Sequence, residues 1–277
     1  MENRNPTSWV NGVPADLVPI SDRGLAYGDG LFETIRVQAG APTLFDFHCE
    51  RLKTGAELLG IPLDLMAFKK EIYSFLYKQG VRDGVLKAVL TRGSGGRGYN
   101  PLGCMSPSRI LTLHPLPAYP DNPGATGVTL HECTIRLGDS SLAGLKHLNR
   151  LENVMARAEW QESKCHEGLL RGMDGRLVEG TMSNLFLVSG DKLHTPCLQK
   201  AGVKGVCREW ILERANGWGL QVEVGKYDLN DLAAADEVFV CNSVNGVWPV
   251  IACGSLDWSV GSVTCTVRDR VQEVFNA

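Results

Sequence analysis

The sequence lacks the features that mark several large protein classes. It has 28 Lys and Arg against 31 Asp and Glu, a formal net charge of -3, and no block of like charge. This balance gives no indication of binding to nucleic acid or to an anionic membrane. No apolar run approaches membrane-spanning length, and the first residues do not resemble a signal peptide. We therefore expect a soluble, cytoplasmic protein that binds neither nucleic acid nor membranes.

The cysteines and histidines lack the spacings of common disulfide and metal sites. Nine cysteines are scattered without a C-x-x-C pair, and their odd number argues against a complete disulfide framework. The six histidines show neither H-x-x-H nor H-E-x-x-H spacing, so we expect no metal site. At 277 residues, the chain is long enough for one large domain or two of ordinary size.

Strand and helix patterns are mixed along the chain without regular alternation. Apolar runs at 85–90 and 128–135 have the length of strands, whereas Asp46 and Asp64 each precede a helical pattern. This mixture predicts an α+β fold with mixed sheets and flanking helices rather than a doubly wound parallel sheet.

The composition changes between residues 114 and 127. This segment holds four prolines and two glycines, which is typical of a linker. We therefore predict an N-terminal domain over 1–113, a Pro-rich linker over 114–127 and a C-terminal domain over 128–277.

Lys146 has unusual surroundings for a lysine. It follows a loop and leads into a helical pattern in which Leu148, Leu151 and Met155 recur, so its neighbours are apolar rather than charged. An amine that is removed from water holds its proton less tightly and can act as a nucleophile or base near neutral pH. A lysine with its head group in water is the commoner situation, so other features must decide.

Four other features could act together with Lys146. Glu179, at the end of a predicted hairpin strand, could keep a pyridine nitrogen protonated. The segment 205–207 precedes a predicted helix, whose free N–H groups favour a phosphate. Arg51 could donate two hydrogen bonds to the same phosphate. The glycine- and arginine-rich loop 92–99 could close over an anion. Each feature is common by itself, but together they supply the amine, ring partner and phosphate site that one aldehyde cofactor needs.

Several motifs together resemble one enzyme family. They are Y-G-D-G-L-F-E at 27–33, H-x-x-R-L at 48–52, Lys146 before its helix, and E-G-T-M-S-N-L-F at 179–186. Over nearly its whole length the chain resembles the fold-type IV pyridoxal-phosphate enzymes. These include branched-chain aminotransferases, D-amino acid aminotransferases and aminodeoxychorismate lyases. The segments 92–99 and 146–152 are most similar to the bacterial lyases.

The resemblance implies the two-domain α+β fold of this family, pyridoxal 5'-phosphate as cofactor, and a role for nine residues. Lys146 would bind the cofactor aldehyde covalently, and Glu179 would be the partner of the pyridine nitrogen. The phosphate would be held by Arg51, the backbone of Val206 and Cys207, and Ser243. Some relatives have threonine at the position of Cys207, so we expect its backbone N–H to make the contact. Arg97, Tyr99 and Tyr27 would approach the substrate carboxylates.

The implied reaction converts 4-amino-4-deoxychorismate to 4-aminobenzoate and pyruvate, a step of folate biosynthesis. The Lys146 amine would remove the proton from the carbon that bears nitrogen. The family also implies a homodimer. Two alternatives stay open: a D-amino acid or branched-chain aminotransferase of the same fold, which would turn over 2-oxo acids, and a cofactor-free anion-binding protein, which would be colourless and indifferent to the loss of Lys146.

Overall fold

The computed structural model describes residues 8–119, 121–160 and 165–276. They form two compact units. The first contains the chain up to Pro117 together with Lys146–Asn149, and the second contains Ala118–Leu145 and the chain from Arg150 onward. The segment 114–127 covers the last residue of a strand and a short helix. Its role as a linker between domains stays a prediction.

The first unit is built from an antiparallel sheet and two long helices. Its elements are β1 (Ser8–Val10), β2 (Val13–Pro14), α1 (Arg23–Tyr27), β3 (Gly30–Gln38), β4 (Ala41–Pro42), α2 (Phe45–Leu59), α3 (Leu65–Gln79), β5 (Gly84–Thr91) and β6 (Ser108–His114). Among the described residues the strand order is β2-β1-β6-β5-β3-β4. Side chains alternate along β3, so that Leu31, Glu33 and Ile35 are buried while Phe32 is half-buried. Helix α2 packs against this strand.

The ends of the long helices follow local rules, with one difference from the prediction. Gly60 ends α2 with φ of 61°, and the Asp64 carboxylate accepts a hydrogen bond from Ala67 N at the start of α3. Leu44, rather than Asp46, is the N-cap of α2. Asp46 lies in the first turn, where a negative charge still stabilises the helix.

The segment 22–30, whose three glycines around one tyrosine and two aspartates predict a loop, contains the five-residue helix α1. The Asp22 side chain accepts from Gly24 N and so caps this helix, and Gly28 ends it with φ of 65°. The prediction was wrong here because glycine disfavours helices in general, whereas one capping carboxylate is enough for a single turn of helix.

The second unit contains a large mixed sheet. Its elements are α4 (Pro123–Thr126), β7 (Val128–Leu137), α5 (Leu151–Arg157), β8 (Cys165–Gly172), β9 (Leu177–Gly180), β10 (Asn184–Ser189), β11 (Lys192–Pro196), α6 (Val206–Arg214), a 3-10 turn (Ala215–Trp218), β12 (Gln221–Gly225), α7 (Leu229–Ala234), β13 (Glu237–Asn242), β14 (Gly246–Cys253), β15 (Leu256–Asp257) and α8 (Ser262–Asn276). In the described part the order is β12-β11-β10-β13-β14-β7-β8-β9, and β15 pairs with β14.

Both orientations of strand pairing occur in this sheet. Pairs β11–β12, β14–β7 and β7–β8 are parallel and the others are antiparallel. Helices α6 and α8 both pack against β13. The predicted α+β class with mixed sheets and flanking helices is confirmed. Within the described residues, no helix is both long and apolar enough to cross a membrane.

Candidate active site

Lys146 lies in an extended segment beside the start of β3. Its carbonyl accepts a hydrogen bond from Phe32 N at 2.9 Å, and Leu148 N donates to Gly30 O at 3.0 Å. The amine Nζ lies 4.4 Å from the centre of the Phe32 ring, within cation–π distance. Helix α5 begins at Leu151, so Lys146 precedes a helix, as predicted, and its pairing with a strand is an additional feature that the sequence did not indicate. This pairing fixes the backbone from which the amine extends.

Glu33, His48 and Arg51 form a buried cluster in the same unit. The Glu33 carboxylate is 2% exposed; it accepts from His48 Nδ1 at 2.6 Å, from Arg51 Nε at 2.9 Å and from Arg51 Nη2. His48 and Arg51 are three residues apart on α2, so they share one helix face. The fork of Arg51 onto Glu33 fixes the guanidinium in place.

The pKa values of this cluster have clear physical causes. Burial by itself would raise the pKa of Glu33, but the charge of Arg51 and the hydrogen bonds from both partners lower it to about 2. Burial, together with the charges of Arg51 and Lys146, lowers the pKa of His48 below its usual value, although Glu33 acts to raise it. At neutral pH His48 is therefore uncharged and donates its Nδ1–H to an ionised Glu33.

Tyr27 and Tyr99, two of the predicted substrate residues, contact each other. Their ring centres are 5.4 Å apart, and Gly98 N donates to the Tyr27 hydroxyl at 3.0 Å. The buried Arg23 lies over the Tyr27 ring and donates to the carbonyls of Gly98 and Tyr99 at 2.9 and 3.1 Å. Arg97, the third predicted substrate residue, is exposed in the same loop.

A carboxylate joins the two arginines at the base of this loop. Asp29 accepts from Nε of both Arg23 and Arg92 at 2.8 Å. Burial raises the pKa of Asp29, but the two guanidinium groups together lower it below its usual value. Arg92 also donates to the carbonyls of Leu59 and Gly60 at the end of α2. The loop is therefore anchored at one end to a helix and at the other to the tyrosine pair.

Glu179 lies at the end of β9 in the second unit, and it is 4% exposed. Its Oε2 accepts from Val203 N at 2.9 Å and from Asn184 Nδ2 at 3.2 Å. The same amide of Asn184 donates to Val203 O at 2.9 Å. Gly202 has φ of 86°, and a Cβ there would lie 3.1 Å from the Glu179 carboxyl carbon. The carboxylate is thus oriented by two donors in a close-packed setting.

Helix α6 begins at Val206, inside the segment 205–207 that the sequence places before the helix, and its N-cap Gly205 makes no side-chain hydrogen bond. A Cβ at Gly205 would lie 1.9 Å from Asn184 Oδ1, so only glycine allows this approach. Cys207 and Cys241 are both free thiols, and a hydrogen bond between them, together with burial, raises the pKa of Cys207 well above the ordinary value. Cys207 is therefore a neutral thiol, and its backbone N–H is the group suited to an anion.

The structure places Ser243 just beyond this region. In the sheet, Asn184 is directly opposite Cys241, two residues before Ser243. Asn242 Oδ1 accepts from the N–H groups of Val244 and Asn245 and shapes the turn that carries Ser243. Glu179, Asn184, the start of α6 and the end of β13 therefore form one neighbourhood within the second unit.

The sequence analysis assigned no chemical role to several residues that build these sites: Phe32, Glu33, His48, Asn184, Arg23 and Asp29. The three-residue spacing of His48 and Arg51 was a usable signal, because it places both on one face of a helix. The contact of Phe32 with Lys146 had no signal, because the two are far apart in sequence. The described residues contain no group of His, Cys, Asp and Glu that could hold a metal ion.

Comparisons with known proteins identify the family of the chain. The family model described as Amino-transferase class IV matches residues 30–253. An aminodeoxychorismate lyase of Vibrio harveyi is 36% identical over 263 residues, 92% of this chain and 96% of the relative. The crystal structure of 4-amino-4-deoxychorismate lyase from Pseudomonas aeruginosa matches with a TM-score of 0.93 and 46% identity, over 98% of this chain and 100% of that one.

A branched-chain amino acid aminotransferase from T.th., solved with pyridoxamine 5'-phosphate, has a TM-score of 0.87 at 23% identity, over 97% of this chain and 93% of that one. At this identity the likeness concerns the fold, which is the fold-type IV architecture expected from the motifs. Since the family model spans most of the sequence and the Vibrio relative covers nearly all of it, the chain belongs to the class IV aminotransferase family.

Proposed function

We propose that this chain is a pyridoxal-phosphate-dependent lyase that converts 4-amino-4-deoxychorismate to 4-aminobenzoate and pyruvate, a reaction of folate biosynthesis. The observation that carries the proposal is the 46% identity, over 98% of the chain, to an enzyme of that name. The aminotransferase of known structure shares the fold at about half that identity. A lyase is therefore favoured over an aminotransferase.

The described residues fit the cofactor. Lys146 is a half-buried residue, and its backbone is paired with β3. Glu179 is a buried carboxylate held by Val203 and Asn184. The start of α6 has no side-chain cap, which leaves the N–H groups of Val206 and Cys207 to a phosphate. When bound, pyridoxal phosphate supplies an aldehyde for the substrate amine and a ring that withdraws electrons from the carbon bearing that amine.

In this proposal Lys146 both binds the cofactor aldehyde and moves the proton. Its Nζ takes the proton from the substrate carbon that bears the amine, as a positioned general base. Glu179 holds a proton on the ring nitrogen, because a buried carboxylate stabilises the opposite charge beside it. Loss of the enolpyruvyl group then leaves an aromatic ring, so the remaining task of the protein is orientation.

The other predicted residues bind and orient. Arg51, the N–H groups of Val206 and Cys207, and the Ser243 hydroxyl would hold the phosphate. The bidentate bond between Arg51 and Glu33 supports this role, since it fixes the direction of the guanidinium. Arg97, Tyr99 and Tyr27 would approach the substrate carboxylates. We also propose a cytoplasmic homodimer as the working form, by analogy with the family.

A turnover experiment tests the proposed reaction. Purified protein with pyridoxal phosphate and 4-amino-4-deoxychorismate should release 4-aminobenzoate, measured by its fluorescence, and an equal amount of pyruvate, measured with lactate dehydrogenase. Lys146→Ala should release neither. An enzyme that makes no 4-aminobenzoate but transfers amino groups from D-alanine or leucine to 2-oxoglutarate would be an aminotransferase, and the proposal would be wrong.

A further inference from the structure

Glu167 is a buried carboxylate that the proposed chemistry does not use. It lies on β8 and is fully buried. Among the described residues, its partners are backbone N–H groups and side-chain hydroxyls rather than a lysine or arginine. Burying a carboxylate without a neighbouring cation costs free energy unless its oxygens accept several hydrogen bonds. The residues that donate those hydrogen bonds therefore indicate the role of the carboxylate.

Four of the five donors come from a single turn, the residues 181–183 between β9 and β10. Oε1 accepts from Thr181 N at 2.9 Å and from the Thr181 hydroxyl, and also from Gly168 N at 2.8 Å. Oε2 accepts from Met182 N at 3.2 Å and from the Ser183 hydroxyl at 2.7 Å. The whole turn is thus bound to one side chain of the neighbouring strand.

The turn is closed tightly over this carboxylate. Gly180 N donates to Ser183 O at 2.7 Å. A Cβ at Gly180 would lie 2.3 Å from the Ser183 hydroxyl and 2.8 Å from the carboxyl carbon of Glu167. Any displacement of Glu167 therefore displaces the turn, because there is no spare space between them.

The turn connects Glu179, the candidate ring partner, with Asn184, one of the two residues that orient it. Glu179 directly precedes Gly180, and Asn184 directly follows Ser183. Asn184 Nδ2 donates to Glu179 Oε2. A shift of the turn would move Asn184 relative to Glu179, so the orientation of the Glu179 carboxylate depends on the bonds that Glu167 accepts.

We propose that Glu167 is a positioning residue, which fixes the turn 181–183 and thereby holds Asn184 and Glu179 in the orientation that keeps the cofactor ring nitrogen protonated. This inference rests on the proposed function, which assigns Glu179 to that nitrogen. The role requires a carboxylate, because both of its oxygens accept hydrogen bonds, whereas an amide has only one oxygen that can accept. A glutamine of the same size would place an N–H group against the N–H of Thr181 or Met182.

The test compares Glu167→Gln with Glu237→Gln in the full-length protein. Glu237 is also buried and also binds two backbone N–H groups, those of Val263 and Thr264 at the start of α8. The first readout is amide hydrogen exchange at Thr181 and Met182 without cofactor. The second is the nitrogen-15 chemical shift of the ring nitrogen in protein loaded with labelled pyridoxal phosphate.

We expect Glu167→Gln to speed hydrogen exchange at the amides of Thr181 and Met182. The nitrogen-15 signal of the cofactor ring should move toward the position of an unprotonated nitrogen. We also expect kcat to fall by about 10- to 100-fold, the usual effect of losing a residue that supports a functional group. Glu237→Gln should speed exchange at Val263 and Thr264 only. A Glu167→Gln protein with a loosened turn but an unchanged nitrogen signal would overturn the proposal, and so would an unchanged turn.

Two further outcomes are distinguishable. If Glu167→Gln does not fold, Ser183→Ala removes one donor and keeps the carboxylate, and the same two readouts should change in the same direction by less; no change would overturn the proposal. A wild type that binds the cofactor with a protonated ring but makes no 4-aminobenzoate overturns the proposed reaction alone. A wild type that takes up no cofactor overturns both.

Discussion

At the scale of single residues, three of the buried glutamates, Glu33, Glu167 and Glu179, differ in the partners that hold them. Glu33 is bonded to Arg51 and His48. Glu179 is bonded to a backbone N–H and an amide side chain, and Glu167 to three N–H groups and two hydroxyls. The difference matters for pH, because the partnership with a permanent cation lowers the pKa of Glu33 to about 2.

The first prediction concerns Glu33→Gln. We expect the free energy of unfolding at pH 7 to fall by about 3–5 kcal/mol, since Arg51 loses a buried partner. The folded pKa of Glu33, about 2, lies below the ordinary 4.5, so its stabilisation is present above about pH 4.5 and is lost as the pH falls toward 2. That pH-dependent part is worth about 3 kcal/mol. Urea unfolding at pH 7, 5 and 3 measures it.

The gap between the wild type and Glu33→Gln should therefore narrow as the pH falls. Glu57→Gln is the matched control on α2, because the Glu57 side chain is 67% exposed and should give no gap at any pH. A gap for Glu33→Gln that stays constant from pH 7 to pH 3 would mean that the Glu33 carboxyl is not held ionised by Arg51.

At the scale of elements, the start of α6 depends on a close approach to Asn184. Gly205→Ala would place a Cβ 1.9 Å from Asn184 Oδ1. We expect it to destabilise the protein by about 1–3 kcal/mol through overpacking. We also expect at least about tenfold weaker binding of pyridoxal phosphate, since the N–H groups of Val206 and Cys207 move. Urea unfolding and a spectroscopic cofactor titration measure the two effects.

Gly217→Ala is the control for this substitution. Gly217 lies in the 3-10 turn after α6, and a Cβ there would meet nothing within 4 Å. We expect little change in stability or in cofactor affinity. If Gly205→Ala loses stability but binds the cofactor as tightly as wild type, the start of α6 is not the phosphate site.

The loop 92–99 is the other element whose role can be isolated. Arg23→Lys keeps the charge beside Asp29 but cannot donate to both the Gly98 and Tyr99 carbonyls from one planar group. We expect KM for 4-amino-4-deoxychorismate to rise about tenfold, the cost of a lost charge-assisted hydrogen bond. Cofactor affinity should be unchanged. Steady-state kinetics and a cofactor titration measure this.

The control for the loop is Arg82→Lys, at an exposed position outside it. It should leave both constants unchanged. A rise in KM for Arg82→Lys equal to that for Arg23→Lys, or a loss of cofactor by Arg23→Lys, would remove the support for a substrate role of Tyr27, Arg97 and Tyr99.

Element ends and hairpins could be predicted from sequence where the cause is local. Gly60 and Asp64 act within one turn of their helices, and the turn at 173–175 joins two antiparallel strands, β8 and β9. The Leu44 cap of α2 could not be predicted, since it depends on a left-handed backbone at an ordinary residue. The extended course of Lys146 depends on pairing with β3, more than a hundred residues earlier.

At the scale of the whole molecule, the motifs led to the proposed chemistry but not to the supporting contacts. Lys146, Glu179 and Arg51 stand in recognisable patterns, and their proposed roles come from those patterns. Glu167 has no such pattern, since four of its five donors lie 14–16 residues away and meet it only after β8 and β9 have paired. The supporting residues had to be found in the structure.

The proposed homodimer is a prediction at this scale. The expectation rests on the resemblance to the family, whose members form closed symmetric pairs. We expect sedimentation velocity at micromolar concentration to give twice the mass of the chain. A single species with the mass of one chain would contradict the prediction.

The covalent bond between Lys146 and the cofactor is the central claim, and it can be measured directly. Wild type, Lys146→Ala and Lys87→Ala are loaded with pyridoxal phosphate, reduced with borohydride and weighed by mass spectrometry. Lys87 is a matched control, since its amine lies 5.6 Å from the same Phe32 ring. We predict that the wild type is yellow. After reduction, the mass of one cofactor should be covalently added to the wild type and to Lys87→Ala but not to Lys146→Ala. A colourless wild type, or cofactor fixed equally to Lys146→Ala, would contradict the account.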